Sequence, residues 1–361
     1  MAKGSETAQA GPVLRRAPVP ALGCVHQLVL PTPWEVGPVQ IYLVESEPLT
    51  LIDTGVRDAP SWSALDAGLE QIGYGVEDVR RVVLTHFHGD HLGQTQRLRE
   101  AGPGLEVLAH ELEVESVENF AEGRSEDIEA AAALLREHGV PGDVIARQSE
   151  MRRRWIAEDA ALCESTRVDR AVRDGERIGF KDLELEVIHA PGHTAGHLLL
   201  HEPRTRTLFT GDHLMGEAVP FTETYFEPGA PDPHDPLARR PRFRGLAGYL
   251  ASLRDLRRRA FDTILPAHGG VVDRPARCID DAILFYEVRV QRVLRALEKL
   301  GASRHETTAW QVWESLFPKA DPVTQMTKRM MMVIGALDVL EDAARVAVSR
   351  SADGRLVYRI A

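Results

Sequence analysis

One stretch constrains this chain more than any other: Leu84-Thr85-His86-Phe87-His88-Gly89-Asp90-His91. Three histidines and an aspartate fall within six residues. The preceding Val82-Val83-Leu84 is apolar and β-branched, which predicts a buried strand. Leu92 to Leu98 predicts the start of a helix. The cluster therefore belongs to a strand-to-helix loop, where binding and catalytic groups concentrate. Imidazole and carboxylate are the usual ligands of zinc and similar divalent metals. In an extended loop His86 and His88 point the same way, so both reach one ion. Asp90 and His91, on the turn into the helix, reach a second.

Length and composition set the frame. The chain has 361 residues, enough for a large domain with an appendage or for two domains. At 43% hydrophobic and 27% charged it has an ordinary globular composition. No apolar run approaches the ~20 residues of a membrane span. Residues 1–20 lack an apolar signal core and read as a flexible N-terminal tail. Cys24, Cys163 and Cys278 are far apart and odd in number. That argues against a disulfide framework and for a reducing, cytoplasmic setting. A net charge of −11 repels nucleic acid and anionic membrane on average.

The histidine loop is similar to the metal-binding signature of the metallo-β-lactamase superfamily. In that family later strand ends supply the remaining ligands, and matching turns follow here in order. Ala190-Pro191-Gly192-His193-Thr194 resembles the turn that carries the next histidine. Phe209-Thr210-Gly211-Asp212 resembles that of the bridging carboxylate, and Leu265-Pro266-Ala267-His268-Gly269 that of the last histidine. Each follows an apolar run. The resemblance covers roughly residues 25–275. It implies an α/β fold, an αββα sandwich, with His86, His88 and His193 on one metal ion. Asp90, His91 and His268 would hold the other, and Asp212 would bridge them. It also implies that Asp53, in Asp53-Thr54-Gly55 after the apolar Leu49 to Ile52, braces the metal loop from behind. An Asx-type turn capping a strand reads almost as well there.

Other segments carry weaker signals. His26 to Leu30 and Val39 to Val44 read as strands, and Ser61 to Ile72 as a helix ending at Gly73. His110 ends a further strand and could face the site or merely cap it. From there to about Thr166 the chain is helix-forming and broken at Gly139 to Gly142, which reads as a helical insertion over about 110–166. Within it, Arg152, Arg153, Arg154 and Trp155 could hold an anionic substrate or form a solvated helix face. His189, His197 and His201 read as structural, and His213 is left without a role. The Pro-rich stretch Glu217 to Arg244 has no period and reads as a long loop, with Phe221, Tyr225 and Phe226 as an apolar wall of the substrate pocket. After His268 three helices are expected, over 280–300, 310–317 and 323–344, then a hairpin around Ala352-Asp353-Gly354. This tail resembles the winged-helix appendage of the β-lactamase-like protein 2 subgroup, whose members include single-strand ribonucleases and thioesterases. Its third helix carries only Lys328 and Arg329 before the apolar Met330 to Ile334. That favours packing on the body, or on a second copy of the chain as a homodimer, over nucleic-acid binding. The expected domains are thus 21–275, catalytic, and 276–361, winged-helix-like.

A hydroxide shared by two divalent ions suits acyl and phosphoryl bonds alike. The expected activity is hydrolysis of a small-molecule acyl substrate: an ester, thioester or lactone. Asp90 would also handle the proton. Phosphodiester or single-strand RNA cleavage, β-lactam hydrolysis, and an inactive metal- or nucleic-acid-binding regulator stand as alternatives. Zinc is the first expectation for the metal, with iron or manganese compatible.

Overall fold

Alternation of apolar side chains decides how the strands stack. In the computed structural model, which describes residues 13–16, 22–227, 229–302 and 306–361, successive strand residues feed different cores. Ile52, Val83 and Leu108 point into one core while their neighbours Leu51, Val82 and Val107 point into another. Leu198 and Leu200 face the first of these, and Leu199 faces a third. Period-two alternation with both faces apolar is what a strand buried between layers requires.

The elements follow from the N-terminal end. Strands β1 (Val13–Arg16), β2 (Val25–Leu30), β3 (Val39–Val44) and β4 (Thr50–Ile52) precede helix α1 (Ala59–Ile72). Then come β5 (Arg81–Val83), α2 (Gly89–Leu92), α3 (Thr95–Ala101), β6 (Glu106–His110), α4 (Val114–Glu118), α5 (Phe120–Glu137), α6 (Gly142–Ala161) and β7 (Arg170–Val172). Strands β8 (Arg177–Gly179), β9 (Glu184–His189), β10 (Leu198–Glu202), β11 (Thr207–Gly211), β12 (Thr224–Phe226) and β13 (Arg242–Arg244) lead to α7 (Gly245–Arg257) and β14 (Thr263–Pro266). The chain finishes with α8 (Pro275–Gly301), α9 (Ala309–Leu316), α10 (Met326–Asp342), β15 (Val346–Arg350) and β16 (Leu356–Ile360).

One sheet has the order β1-β2-β3-β4-β5-β6-β7 and the other β14-β11-β10-β9-β8. Tyr42, Val83 and Leu108 from the first meet Val187, Leu200 and Phe209 from the second in the middle core. Outside the first sheet, Leu65 and Leu69 of α1 cover Leu28 and Leu51. Outside the second, Leu246, Tyr249 and Leu253 of α7 cover Leu199 and Ile264. The layers are therefore helix, sheet, sheet, helix. Local signals support the placement of α1: Asp58 accepts from the Ser61 N–H at 2.7 Å, and Gly73 closes the helix at φ 100°.

Two expectations change. Residues 1–20 lie outside the described set except Val13–Arg16, which is a strand and not part of a tail. It pairs antiparallel with β2, whose outer edge offers free backbone groups. The stretch 217–244, expected as a long loop without regular structure, contains the short hairpin β12–β13. Its aromatic and arginine residues alternate across the pair, a pattern too short to show as a period.

The three expected C-terminal helices and the hairpin are present. Among the described residues no helix is long and apolar enough to cross a membrane. Met330, Val333, Ile334 and Leu337 of α10 are buried in the core that α7 and α8 share. The crossing of α10 and α7 is close, since a Cβ at Gly335 would come 2.7 Å from Leu246 Cβ. Salt bridges add direction. Arg242 Nη1 lies 2.7 Å from Asp338 Oδ2, with the two side chains only 9% and 2% exposed. Arg239 pairs with Glu341 at 2.8 Å, and Arg244 with Asp342 at 2.9 Å.

A buried pair that loses one member leaves an uncompensated charge. Asp338→Ala should therefore lower the unfolding free energy by about 3 kcal/mol, read by urea denaturation. A loss below about 1 kcal/mol, the value of a surface pair, would show that Arg242 finds solvent instead.

Candidate metal centre

Parallel strands bring the chemistry to one edge. β4 and β5 run parallel, and so do β11 and β14. β9 has the same direction as β11, because both pair antiparallel with β10. The turns that leave these five strands carry Asp53, His86 to His91, His193, Asp212 and His268. The carboxyl ends of strands are where α/β sheets present ligand sites. Close approach is part of the design. Gly211 sits at φ 48°, and a Cβ there would come 2.7 Å from Thr85 Oγ1. Glycine alone lets the Asp212 turn lie against the histidine loop.

The seven expected ligand residues converge. His86 Nε2 lies 3.0 Å from His88 Nδ1, and His193 Nε2 lies 3.1 Å from that same atom. His268 Nε2 lies 3.1 Å from Asp90 Oδ2, and His91 Nε2 lies 3.6 Å from Asp90 Oδ1. Asp212 stands between these sets. Its Oδ2 is 3.5 Å from His193 Nε2, while its Oδ1 is 3.4 Å from His91 Nε2 and 3.5 Å from His268 Nε2. The ligand atoms of His86, His88 and His193 lie within 4.8 Å of one another, as do those of Asp90, His91 and His268.

Each imidazole is also held from behind. His91 Nδ1 donates to Asp53 Oδ2 at 2.8 Å. His86 Nδ1 donates to Thr85 Oγ1 at 3.1 Å, and that hydroxyl donates to Asp53 at 2.8 Å. His193 Nδ1 donates to the Phe221 carbonyl at 2.9 Å, and His268 Nδ1 to that of Pro38 at 3.0 Å. His88 Nε2 donates to Glu223 Oε1 at 3.3 Å. A proton bound on the outer nitrogen leaves the inner one a bare acceptor, the tautomer a metal needs.

The donor set fits divalent metal ions. Bare nitrogens 3.0 and 3.1 Å from His88 Nδ1 repel it unless a cation sits among them. Tetrahedral zinc with bonds of about 2.05 Å places its ligand atoms about 3.3 Å apart, close to what is found. His91 Nε2 and Asp212 Oδ1 are buried with no hydrogen-bond partner. Such orphaned atoms demand an explanation, and an ion between them supplies one. The charge states agree. Burial, then the neighbouring His91 and His88, holds His86 well below its ordinary pKa. Burial and then His88 bring His193 down to about 4. Burial alone would raise Asp212, but His91 and His268 outweigh it and keep the carboxylate anionic. His91 is the converse: burial lowers it, yet Asp90, Asp212 and Asp53 together lift it well above the usual value. A metal cation competes for that same concentration of negative charge.

The substrate-binding expectations separate. The Phe221 ring is 5.1 Å from that of His193 and 6.2 Å from that of His88, so it walls the first imidazole set. Tyr225 instead packs on Phe243, and Phe226 lies beneath Arg240 against the outer core. Arg153 and Arg154 pair with Glu150 on an exposed helix face, and Trp155 is 44% exposed. The charge of Arg152 reaches Glu223. His110 stacks on His189 at 4.1 Å, outside the metal groups.

Several residues at the site had no sequence signal of their own. Glu223 was one acid among many in the Pro-rich stretch. Glu113 accepts from Phe87 N at 3.0 Å, Thr194 Oγ1 at 2.8 Å and Gly196 N at 2.6 Å, and so ties two ligand turns together. Burial pushes its carboxyl up to about 7 although the bonds from Thr194 and Gly196 oppose this. Trp34 approaches Gly89, as a Cβ there would lie 3.6 Å from its ring. His197 accepts from the Asp212 N–H at 3.3 Å and stacks on His86 at 4.8 Å. His213 is buried against Tyr249, neither ring nitrogen bonded.

Comparison with known proteins agrees with this geometry. The family model described as "Metallo-beta-lactamase superfamily" matches residues 34–268. The probable metallo-hydrolase YqjP of Bacillus subtilis is 29% identical over 335 residues, 91% of this chain and 95% of that protein. The human acyl-coenzyme A thioesterase MBLAC2 is 29% identical over 179 residues, 48% of this chain and 57% of its own length. Among solved structures, the metallo-beta-lactamase family protein TTHA1429 of Thermus thermophilus superposes with a TM-score of 0.71 at 22% identity, over 94% of this chain and all of that one.

Asp53 touches the ligands only from outside, which makes it the cleanest test of the bracing. Asp53→Asn should weaken metal binding about 10- to 100-fold in chelator competition while circular dichroism stays unchanged. Unaltered affinity would mean that the ligand turns hold their own orientation.

Proposed function

This chain is a metal-dependent hydrolase belonging to the metallo-β-lactamase superfamily, and from that premise we propose that it cleaves an ester, thioester or similar acyl bond at a centre of two divalent ions. His86, His88 and His193 would hold the first ion and Asp90, His91 and His268 the second, with Asp212 available to both. One observation carries this reading: five imidazoles, each held through its outer nitrogen, turn their inner nitrogens toward one another and toward Asp90 and Asp212. We take zinc as the first candidate, because imidazole dominates the donor set; iron and manganese accept the same ligands.

Divalent ions held there supply a nucleophile from water at neutral pH and polarise the scissile carbonyl. The protein's own groups do the rest. Burial would raise Asp90, but His91 and His268 bring it below its usual range, so it is an anionic acceptor at pH 7. It takes a proton from the attacking water and returns it to the leaving group. Asp53, Thr85 and Glu223 keep the imidazoles aimed. Phe221 and Trp34 narrow the approach and shed water from it.

An acyl substrate is favoured over a phosphodiester. The thioesterase relative supports it, as do the aromatic walls and the net charge of −11. We read 21–275 as the catalytic body, with 110–166 as its helical insertion, and 276–361 as a winged-helix-like unit. The apolar face of α10 is spent on packing, which leaves little of that unit to read a nucleic acid.

Chelation should abolish turnover of a simple thioester, and the chosen metal should restore it. His86→Ala and Asp212→Ala should each lose bound metal and at least about 100-fold in kcat, with the fold intact by circular dichroism. A panel of thioester, lactone, cephalosporin and single-stranded RNA tests the bond type. RNA cleavage that His88→Ala removes, with no acyl turnover, would reverse the assignment.

A further inference from the structure

Two helices from distant parts of the chain meet over Phe221. Gln148 of α6 donates to Thr327 Oγ1 of α10 at 2.9 Å, which fixes the two helices against each other. Lys328 follows Thr327, and its Nζ lies 5.4 Å from the centroid of the Phe221 ring. That is within cation–π range of the ring that walls His88 and His193. Arg152 stands four residues beyond Gln148, on the same face of α6. Arg153 and Arg154 project to the other side, where Glu150 engages both.

Glu223 is committed to His88 at 3.3 Å. Lys328 is exposed, and among the described residues no carboxylate is paired with it. An ammonium kept over an aromatic face beside a hydrolytic centre suits an incoming anion better than it suits an apolar acyl chain.

We infer that Lys328 and Arg152 form a cationic rim that selects acyl substrates carrying a permanent anionic group, a phosphate or a carboxylate, away from the scissile bond. This rests on the acyl-hydrolase reading. It gives α10 a direct share in specificity, through a lysine at its first turn. The anion docks beside the first imidazole set, and the ring of Phe221 separates it from the ions.

Three thioesters with one scissile bond type separate the sources of charge. S-butyrylpantetheine is neutral, its 4′-phosphate is anionic on the thiol side, and S-succinylpantetheine is anionic on the acyl side. The wild-type holoenzyme should favour one anionic form by about tenfold or more in kcat/KM. Lys328→Ala and Arg152→Ala should each remove most of that preference through KM, leaving kcat, metal content and turnover of the neutral thioester unchanged. Lys328→Glu should invert the preference. Equal loss on neutral and anionic substrates, or no preference in the wild type, overturns the rim while leaving acyl hydrolysis standing. If no thioester is turned over, the acyl reading falls, and calorimetry decides the rim separately. Pantetheine 4′-phosphate against pantetheine, and monomethyl succinate against methyl butyrate, are the probe pairs. Tighter binding of either anion, lost in Lys328→Ala, upholds the rim; equal affinities within both pairs sink it.

Discussion

The Asp53 carboxylate is the constraint from which the site is built. It accepts from the Thr85 N–H, from the Thr85 hydroxyl and from His91 Nδ1, each at 2.8 Å. Through Thr85 it also fixes His86. One buried side chain thus sets the orientation of both His86 and His91, members of the candidate metal-binding clusters. Its backbone is in the left-handed region at φ 61°, which aspartate tolerates better than most residues. The turn that aims it therefore comes at a conformational cost that the three hydrogen bonds offset.

The same buried edge is asymmetric in charge. The first group is three imidazoles, of which His86 and His193 are kept neutral by burial and by their imidazole neighbours. The second pairs imidazoles with carboxylates that raise His91 and His268. A cation in the first would gain mainly coordination, while one in the second would also neutralise anionic charge. Asp212 lies between them and belongs to both, which makes it the electrostatic hinge of the centre.

Much of this was legible in the primary order because it is local. His86, His88, Asp90 and His91 share one loop, and His193, Asp212 and His268 each follow an apolar run with a turn. The family resemblance carried by these turns foretold the layers, and the apolar Met330 to Ile334 foretold the packing of α10. What stayed hidden depends on partners far away. Glu113 and Glu223 are ordinary acids until folding brings Phe87, Thr194 and His88 to them. Three consecutive arginines look equivalent until the phase of α6 turns Arg152 one way and Arg153 and Arg154 another. Tyr225 and Phe226 resemble Phe221 in type, but β12 turns them from the metal groups. Val13–Arg16 could not be told from a tail, because an edge strand takes its hydrogen bonds from another segment.

The strap of arginines from Arg239 to Arg244 has one more implication. It links the strand Thr224–Phe226, just after Glu223, to α10, where Asp338, Glu341 and Asp342 receive it. A recombination that exchanged the C-terminal helices for others would strand these guanidinium groups, and with them the segment that presents Phe221 and Glu223. Inheritance of the catalytic half and of the C-terminal half is thereby coupled. The two halves are expected to diverge in concert and not to be traded as independent modules.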